Sequence, residues 1–276
     1  MAEYLRPHRL EEALGALARP LTVLAGGTDF YPARVGRSVD EDVLDISAIA
    51  ALRGISADPG GWRLGATTTW GELAAADLPP LFDGLKQAAV EVGGRQIQNA
   101  GTIAGNLCNA SPAADGVPPL LALDADVEIA SRAGSRRVPL AAFITGNRRT
   151  VLLPGELVVA LHVPKAAPGA QSAFLKLGAR RYLVISIAMA AATLEIAAGR
   201  IVRARVAVGA CSAVAQRLPA LEAALAGAVP DAALGARVEA THLAPLAPID
   251  DVRGSAGYRG EAALTLVRRL LQGFVR

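Results

Sequence analysis

The chain has 276 residues, of which 52% are hydrophobic and 4% aromatic, so a sizeable interior must be built mainly from aliphatic side chains and alanine. Its net charge of +3 comes from scattered arginines without interleaved aromatic residues, which argues against a nucleic-acid partner. No apolar run reaches the roughly 18 residues of a membrane span, and the N-terminal residues lack the apolar core of a signal peptide. Two isolated cysteines favour the reducing cytoplasm and are too few to hold an iron–sulfur cluster.

The first part of the chain mixes helix and strand patterns. Helices are predicted at Arg9–Arg19, Thr68–Ala76, Leu81–Val92 and Val117–Leu123. Strands are predicted at Leu21–Ala25, Asp42–Ile46, Trp62–Gly65, Asp126–Ser131, Arg136–Val138 and Glu156–Val163. The spacing of apolar residues sets their type, and proline and glycine set their ends.

A stretch rich in proline, alanine and glycine, Lys165–Ala170, is the predicted domain boundary. The remaining strands are predicted at Ser172–Leu177, Ile187–Ala197 and Ile201–Gly209, and the remaining helices at about 218–226, 231–241 and 259–273. A three-stranded sheet followed by helices is an α+β pattern.

Two glycine segments about 75 residues apart are the strongest functional signal. Ala25–Asp29, with the sequence AGGTD, directly follows a predicted strand, and Gly101–Asn106 has the sequence GTIAGN. Glycine lets a backbone approach a ligand closely, and successive N–H groups of such a turn suit phosphate. We predict two loops that grip the two phosphates of one dinucleotide from opposite sides, with hydroxyl donors at Thr28 and Thr102. The alternative for Gly26 and Gly27 is a tight turn after a strand.

Neither the G-x-G-x-x-G fingerprint nor a GK[ST] loop occurs, so the Rossmann and P-loop classes are excluded. The three histidines are too far apart in sequence to indicate a metal site, and no catalytic triad or acid–base pair stands out. We therefore assign no catalytic residue and no metal ligand to this chain.

Several polar residues have a structural alternative beside a binding role. Asp29 would be repelled by phosphate, so it either caps the next turn or contacts a ribityl hydroxyl. Asn106 needs partners if buried, and Ser111 shapes a turn with the proline that follows. Asp115 either binds a ligand or caps the next helix. Lys176 is one of only three lysines, and the alternative is a solvated strand lysine.

Five pieces, in this order and spacing, resemble the FAD-binding subunit of the molybdenum hydroxylases, the xanthine dehydrogenase and carbon monoxide dehydrogenase family. They are AGGTD at 25–29, GGRQIQNAGTIAGN at 93–106, ASPAAD at 110–115, ELVVALHVP at 156–164 and AFLKLGARR at 173–181. The resemblance implies an FAD-binding domain of the vanillyl-alcohol oxidase type at 1–166, with a small lobe at about 1–54 and a larger lobe at about 55–166. It implies an α+β C-terminal flavoprotein domain at 171–276.

The resemblance also implies a function. FAD would be bound noncovalently and would receive electrons from [2Fe–2S] clusters of a ferredoxin-like subunit, after oxidation of a substrate on a large molybdopterin subunit. An acceptor such as NAD, oxygen or a carrier would then take them. The alternative is a self-contained noncovalent FAD oxidase or reductase of the same fold. A flavin-free module would leave both glycine segments without a purpose.

By resemblance, particular residues receive cofactor roles. Asn106 would lie against the diphosphate and ribityl region, and Asp115 would accept hydrogen bonds from cofactor sugar hydroxyls. Lys176 would reach the isoalloxazine edge, and Val159 would pack on the flavin ring. The full set of implied FAD contacts is Val23, Leu24, Ala25, Gly26, Gly27, Thr28, Asp29, Phe30, Gly101, Thr102, Ala104, Gly105, Asn106, Ser111, Asp115, Val159 and Lys176.

The stacking partner of the ring is left open. Val92 stands where xanthine dehydrogenases place an aromatic residue, and Tyr182 is a candidate substitute by position. Cys108, inside the second glycine segment, is expected to be a small buried filler.

Overall fold

The computed structural model describes residues 2–274, so residue 1 of the predicted first domain and residues 275–276 of the second lie outside the described residues. The strands are β1 (Tyr4–Leu5), β2 (Thr22–Leu24), β3 (Val43–Asp45), β4 (Ile55–Asp58), β5 (Gly61–Gly65), β6 (Asp126–Ser131), β7 (Gly134–Pro139), β8 (Ile144–Gly146), β9 (Arg149–Thr150), β10 (Leu157–Pro164), β11 (Gln171–Leu177), β12 (Ala188–Ala197), β13 (Arg200–Gly209) and β14 (Gln216–Arg217). The helices are α1 (Leu10–Ala16), α2 (Trp70–Ala75), α3 (Asp83–Glu91), α4 (Arg95–Ala100), α5 (Ile103–Asn109), α6 (Val117–Ala122), α7 (Leu140–Phe143), α8 (Pro219–Leu225) and α9 (Ala256–Gln272). Short 3-10 helices lie at Pro32–Arg34, Ala50–Leu52, Pro80–Phe82, Leu234–Arg237 and Ala240–Leu243.

A small parallel sheet of order β1-β3-β2 forms the first unit of the chain. The buried face of α1 contributes Ala13 and Leu14, which belong to one apolar cluster with Leu44 and Ile49. Strand β2 ends at Leu24, so the segment Ala25–Asp29 leaves the carboxyl end of this parallel sheet. In parallel sheets, ligands bind outside the carboxyl ends of the strands.

The larger unit is an antiparallel sheet of order β4-β5-β10-β6-β7 covered by helices α2 to α6. Its core joins sheet residues such as Leu161 to fully buried helix residues such as Trp70, Ile103 and Leu120. A capping box begins α2, in which Thr69 accepts a hydrogen bond from the Glu72 backbone N–H and the Glu72 side chain accepts one in return.

The last unit is an antiparallel sheet of order β11-β12-β13-β14, with α8 and α9 packed on one face. Alternate alanines of β12, among them Ala188, Ala190 and Ala192, share a core with Val267 and Leu271 of α9. On the other face, Phe174 and Met189 pack with Ala88 of α3 and Ala122 of α6. The sheet is therefore buried between its own helices and the first domain.

The architecture confirms the predicted α+β class, with three corrections to individual elements. The segment Gly101–Asn106, predicted as a loop, begins directly after α4 and contains the first four residues of α5. The helix predicted at 231–241 is two 3-10 helices. Gly235 in the first of them packs closely against α9, where an added Cβ would lie 2.6 Å from the Arg268 carbonyl oxygen. Strand β14 adds a short edge to the predicted three-stranded sheet.

An ion-pair network joins the two domains at the end of α6. The Asp124 carboxylate lies 2.7 Å from the guanidinium of Arg203 and 2.7 Å from that of Arg217. Arg205 of β13 donates to the Ala122 carbonyl at 2.8 Å and pairs with Glu195 at 2.9 Å. The Arg205 side chain is only 5% exposed and Glu195 11%, so this part of the network is shielded from solvent, whereas Arg203 is 59% exposed.

Replacing Arg205 is expected to destabilise the chain strongly. Arg205→Met leaves the Glu195 carboxylate, 11% exposed, without its cation, which should lower the free energy of unfolding by about 3 kcal/mol. The matched control is Arg203→Met on the same strand, where the side chain is 59% exposed and the loss should stay below about 1 kcal/mol. Urea denaturation measures both, and equal losses would contradict the structural distinction between the two arginines.

Candidate cofactor-binding site

A cavity of about 850 Å³ lies where the small sheet faces the helices of the larger unit. Ligand pockets range from about 300 to 1,000 Å³, so this volume suits a large cofactor. Its first wall is the segment from β2 through the 3-10 helix that follows. Its second wall runs from the α3–α4 junction through α5. Its third wall, the β10 wall, consists of the turn between β8 and β9, the segment after β9 and the start of β10. The lining residues are Thr22, Val23, Leu24, Ala25, Gly26, Gly27, Thr28, Asp29, Phe30, Pro32, Ala33, Arg34, Ile46, Ala66, Trp70, Val92, Ile97, Gly101, Thr102, Ala104, Gly105, Asn106, Cys108, Asn109, Arg148, Leu152, Glu156, Leu157 and Val158.

Most of the predicted cofactor contacts meet at this cavity. Every predicted residue of the first glycine segment, from Val23 to Phe30, lines it. From the second segment the lining includes Gly101, Thr102, Ala104, Gly105 and Asn106. The predicted contacts outside the lining are Ser111, Asp115, Val159 and Lys176.

The two glycine segments touch each other. A Cβ at Gly26 would overlap the Ala100 carbonyl oxygen, and one at Gly101 would lie 3.4 Å from the Thr28 hydroxyl. The expectation that they grip a ligand from opposite sides is therefore corrected: they form adjoining walls. Gly26 has no room for a side chain, because the Ala100 backbone packs against it. Gly27 has φ +70°, a conformation that favours glycine.

Hydroxyl and amide groups face this junction with part of their hydrogen-bonding capacity already used. The Thr102 hydroxyl accepts from the Gly105 backbone N–H at 3.1 Å and keeps its own proton to donate. The Asn106 side-chain oxygen accepts from the Gly116 N–H at 3.2 Å, which leaves the amide N–H groups as donors. The side chain of Asp29 is exposed, and the 3-10 helix after it has no side-chain cap, so the predicted capping role is not realised there.

Strand β10 presents Val158 to the cavity, one residue before the predicted Val159. Val159 is buried in the apolar cluster of the small sheet, together with Leu44. Successive strand residues point to opposite faces, so the two valines serve different cores. The pairing register also shifts between Val158 and Ala160, which marks an irregularity at this position.

Asp115 and Lys176 form a buried ion pair between the two domains. Their charged atoms are 2.7 Å apart, with side chains 11% and 6% exposed. The Ser186 hydroxyl donates to the second Asp115 oxygen at 2.6 Å, and the Lys176 ammonium also lies 3.3 Å from the Glu91 carbonyl oxygen. Asp115 does not cap α6, whose first flanking residue is Gly116. Burial raises the pKa of Asp115, and Lys176 and Ser186 oppose that rise.

The remaining predicted residues are placed as follows. The Ser111 hydroxyl accepts from the Ala113 N–H at 3.3 Å and so shapes its turn. Val92 lines the cavity, whereas Tyr182 is 60% exposed and lies outside the lining. Cys108 is exposed on the cavity wall, so the expectation of a buried filler is wrong: α5 turns this residue toward the cavity rather than toward its core face.

Sequence reasoning missed the two arginines of the lining. Arg34 lies 3.8 Å from the centre of the Phe30 ring and pairs with Glu41. Arg148 lies in the turn between β8 and β9 and hydrogen-bonds the side chain of Asn109. Neither residue belongs to a recognisable motif, and only the tertiary structure brings the β8–β9 turn to the cavity.

Within residues 2–274, no group of three or more histidine, cysteine, aspartate and glutamate side chains is arranged to hold a metal ion. In the same part of the chain, no helix is long and apolar enough to cross a membrane.

Removing the Lys176 cation should make stability depend on pH. In Lys176→Met the buried Asp115 carboxyl keeps a raised pKa, so it binds a proton more readily in the folded chain than in the unfolded chain, where its pKa is near 3.8. Stability should then fall progressively as pH rises above about 4, up to the folded-state pKa. Melting temperatures from pH 4 to pH 8 test this.

The double variant K176M/D115N is the control, because it has no carboxyl at position 115 to titrate. It should show no added slope relative to the native chain. A difference between K176M and the native chain that is constant from pH 4 to pH 8 would contradict the assignment of a buried pair.

Comparisons with known proteins cover nearly the whole chain. A family model for the "FAD binding domain in molybdopterin dehydrogenase" matches residues 1–166, and one for the "CO dehydrogenase flavoprotein C-terminal domain" matches residues 173–274. A xanthine dehydrogenase FAD-binding subunit of Escherichia coli O157:H7 is 37% identical over 59% of this chain and 58% of its own. The carbon monoxide dehydrogenase medium chain of Hydrogenophaga pseudoflava is 30% identical over 98% of this chain and 95% of its own.

The fold is also that of a solved structure. Carbon monoxide dehydrogenase from Oligotropha carboxidovorans superposes with a TM-score of 0.90 at 27% identity, covering 99% of this chain and 96% of the matched chain. The predicted two-domain FAD-binding fold and the predicted cofactor, FAD, are thereby confirmed. The chain belongs to the family of FAD-binding subunits of molybdenum-containing dehydrogenases, the xanthine dehydrogenase and carbon monoxide dehydrogenase family.

Proposed function

We propose that this chain is the electron-transfer subunit of a molybdenum hydroxylase. FAD in the cavity would take electrons from the [2Fe–2S] clusters of a ferredoxin-like subunit, which receives them from a large molybdopterin subunit, and pass them to an acceptor such as NAD. FAD supplies chemistry in one- and two-electron steps, and the protein binds, orients and tunes it. The observation that carries the proposal is the cavity wall formed where the two glycine segments meet.

The residues of the cavity fit an extended dinucleotide. Thr28 and Thr102 offer hydroxyl donors at the glycine junction, where we place the diphosphate. Val158 and Leu157 offer an apolar surface on the β10 wall, and Val92 offers one on the α3–α4 wall. We assign the flavin to the Val92 side, because the Lys176 ammonium contacts the carbonyl of the preceding residue and positive charge there stabilises reduced, anionic flavin.

The predicted roles of Asp115 and Lys176 then act through their ion pair. The carboxylate holds the ammonium at the junction of the domains, beside the flavin end of the cavity. Contact of Asp115 with cofactor hydroxyls and of Lys176 with the isoalloxazine edge stays a prediction. Either contact would require these side chains to exchange or share the hydrogen bonds that they make with each other.

Noncovalent binding is supported by the composition of the lining. None of the described residues that line the cavity is a histidine, the residue through which many flavoproteins of this fold tether their cofactor. His162 lies in β10 and pairs with Glu128 at 2.6 Å. Both cysteines are free, in agreement with the cytoplasm as the compartment that we propose.

The alternative of a self-contained oxidase needs a base beside the flavin. The carboxylates of the lining are Asp29, which is exposed, and Glu156. Glu156 is held by Arg136 at 2.8 Å, which keeps its pKa low, and it lies on the β10 wall rather than beside Val92. We therefore place substrate oxidation on the partner subunit.

Added FAD should stabilise the purified chain much more than FMN. A ligand present at 100 times its dissociation constant adds about 2.7 kcal/mol, and FMN lacks the adenylate half that an extended dinucleotide site also binds. Thermal melts of the apoprotein with each flavin test this. FAD should be released intact by acid, and equal shifts from FAD and FMN would contradict a dinucleotide site.

The electron route is tested by isolating the chain from its native host. We expect it to co-purify with molybdenum- and iron-containing subunits, and an organic substrate should bleach the flavin absorbance only in that complex. The control is the single chain reconstituted with FAD, whose flavin should be reduced by dithionite and reoxidised by acceptor dyes. Turnover of an organic substrate by that single chain, free of molybdenum and iron, would instead support the self-contained oxidase.

A further inference from the structure

An arginine in an unusual backbone conformation projects from the β8–β9 turn onto the cavity wall. Arg148 has φ +58°, in the left-handed region that non-glycine residues rarely adopt. Its backbone N–H donates to the Ala110 carbonyl at 2.9 Å, and Ala110, with φ +47°, is itself left-handed. Such conformations are unfavourable for non-glycine residues and persist where the surroundings impose them, often at ligand sites.

This backbone hydrogen bond between Arg148 and Ala110 places the Arg148 side chain beside the end of α5. The guanidinium donates to the Asn109 side-chain oxygen and lies 3.4 Å from the Asn109 backbone oxygen. Among the described residues, no carboxylate lies within ion-pair distance of Arg148, whereas the other arginine of the lining, Arg34, is paired with Glu41. Arg148 is therefore a cation of the cavity wall whose charge no neighbouring carboxylate neutralises.

The position of Arg148 along the cavity determines which half of an extended ligand would lie beside it. Helix α5 has seven residues and so spans about 10 Å, with Thr102 before its first residue and Asn109 as its last. Arg148 shares its wall with Leu152 and Val158, which come from the segment that packs beside α5, whereas Val92 comes from the α3–α4 wall. The side of the cavity that holds Arg148 is thus the one left for the adenylate half when the flavin lies beside Val92.

We propose that Arg148, oriented by Asn109, is the residue that recognises the adenosine monophosphate half of FAD. This inference rests on the proposed function. A guanidinium is planar and always charged, so it can stack on the adenine ring and donate hydrogen bonds to phosphate or to the edge of the base. Val158 supplies an apolar neighbour for the base. Arg148 then provides discrimination between FAD and FMN, which the glycine junction alone would not provide, because both flavins carry a phosphate.

The test uses the full-length apoprotein and compares Arg148→Gln with Arg149→Gln. Arg149 is the next residue in the chain and the first of β9, is exposed and does not line the cavity, so it is a matched control for charge and position. Dissociation constants are measured for FAD and FMN by flavin fluorescence, and for AMP by competition with FAD. We expect R148Q to weaken FAD and AMP by about tenfold, in line with loss of one charge-assisted contact, and to change FMN affinity less than twofold. R149Q should leave all three within twofold.

A second variant, Asn109→Leu, removes the side chain that orients Arg148 and should weaken FAD in the same direction without affecting FMN. Melting temperatures of the ligand-free variants check that each has folded. If the native chain binds no FAD, the proposed function fails. Two outcomes would overturn the inference about Arg148 alone, given a native chain that binds FAD. In the first, R148Q binds FAD and AMP as tightly as the native chain does. In the second, R148Q loses affinity for FAD and for FMN by the same factor.

Discussion

The contact between Gly26 and the carbonyl end of α4 is the constraint on which the cavity depends. A side chain at Gly26 would overlap the Ala100 carbonyl oxygen, so the segment after β2 can reach α4 only because that side chain is absent. This approach brings Thr28 against Gly101 and joins the small parallel sheet to the helices of the larger unit. The start of α5 is fixed in turn, since the Ile103 N–H donates to the Thr68 carbonyl at 3.0 Å and the Ala104 N–H to the Ala66 carbonyl at 3.3 Å. The first two walls are therefore joined to each other by close backbone contacts and hydrogen bonds.

The described residues of the C-terminal domain do not line the cavity but pack against helices α3 and α6 of the first domain. Phe174 and Met189 of its sheet pack on α3 and α6, and the arginines around Asp124 secure the end of α6. Between these contacts, Lys176 reaches across the junction to Asp115. A buried pair of this kind adds little net stability, since desolvation of both charges offsets their attraction. In the proposed function its value is positional, because the pair holds the Lys176 ammonium next to the cavity end that Val92 lines.

In the proposed arrangement, the site combines three separate supports for one extended ligand. Backbone and hydroxyl groups of the glycine junction suit a diphosphate, the Lys176 ammonium sets the charge beside one end, and Arg148 offers a guanidinium at the other. Of the two carboxylates among the described lining residues, Glu156 is paired with Arg136 and Asp29 is exposed. This division suits a subunit that holds and tunes a redox cofactor while bond-breaking chemistry occurs elsewhere.

The sequence alone determined the α+β class, most strands and the two glycine segments, because hydrophobic period, proline and glycine act locally. It also identified the residues around Gly26 and Thr102 as neighbours in one site, through motif order and spacing. It did not show that Gly101–Asn106 is largely helical, since small residues of a motif serve a helix start as readily as a loop. Which of Val158 and Val159 faces the cavity was decided by strand register, and the pairing of Asp115 with Lys176 by the packing of two domains. Arg148 is held at the cavity by a backbone hydrogen bond to Ala110, which lies 38 residues earlier in the chain. A hydrogen bond between residues so far apart in sequence depends on the tertiary structure.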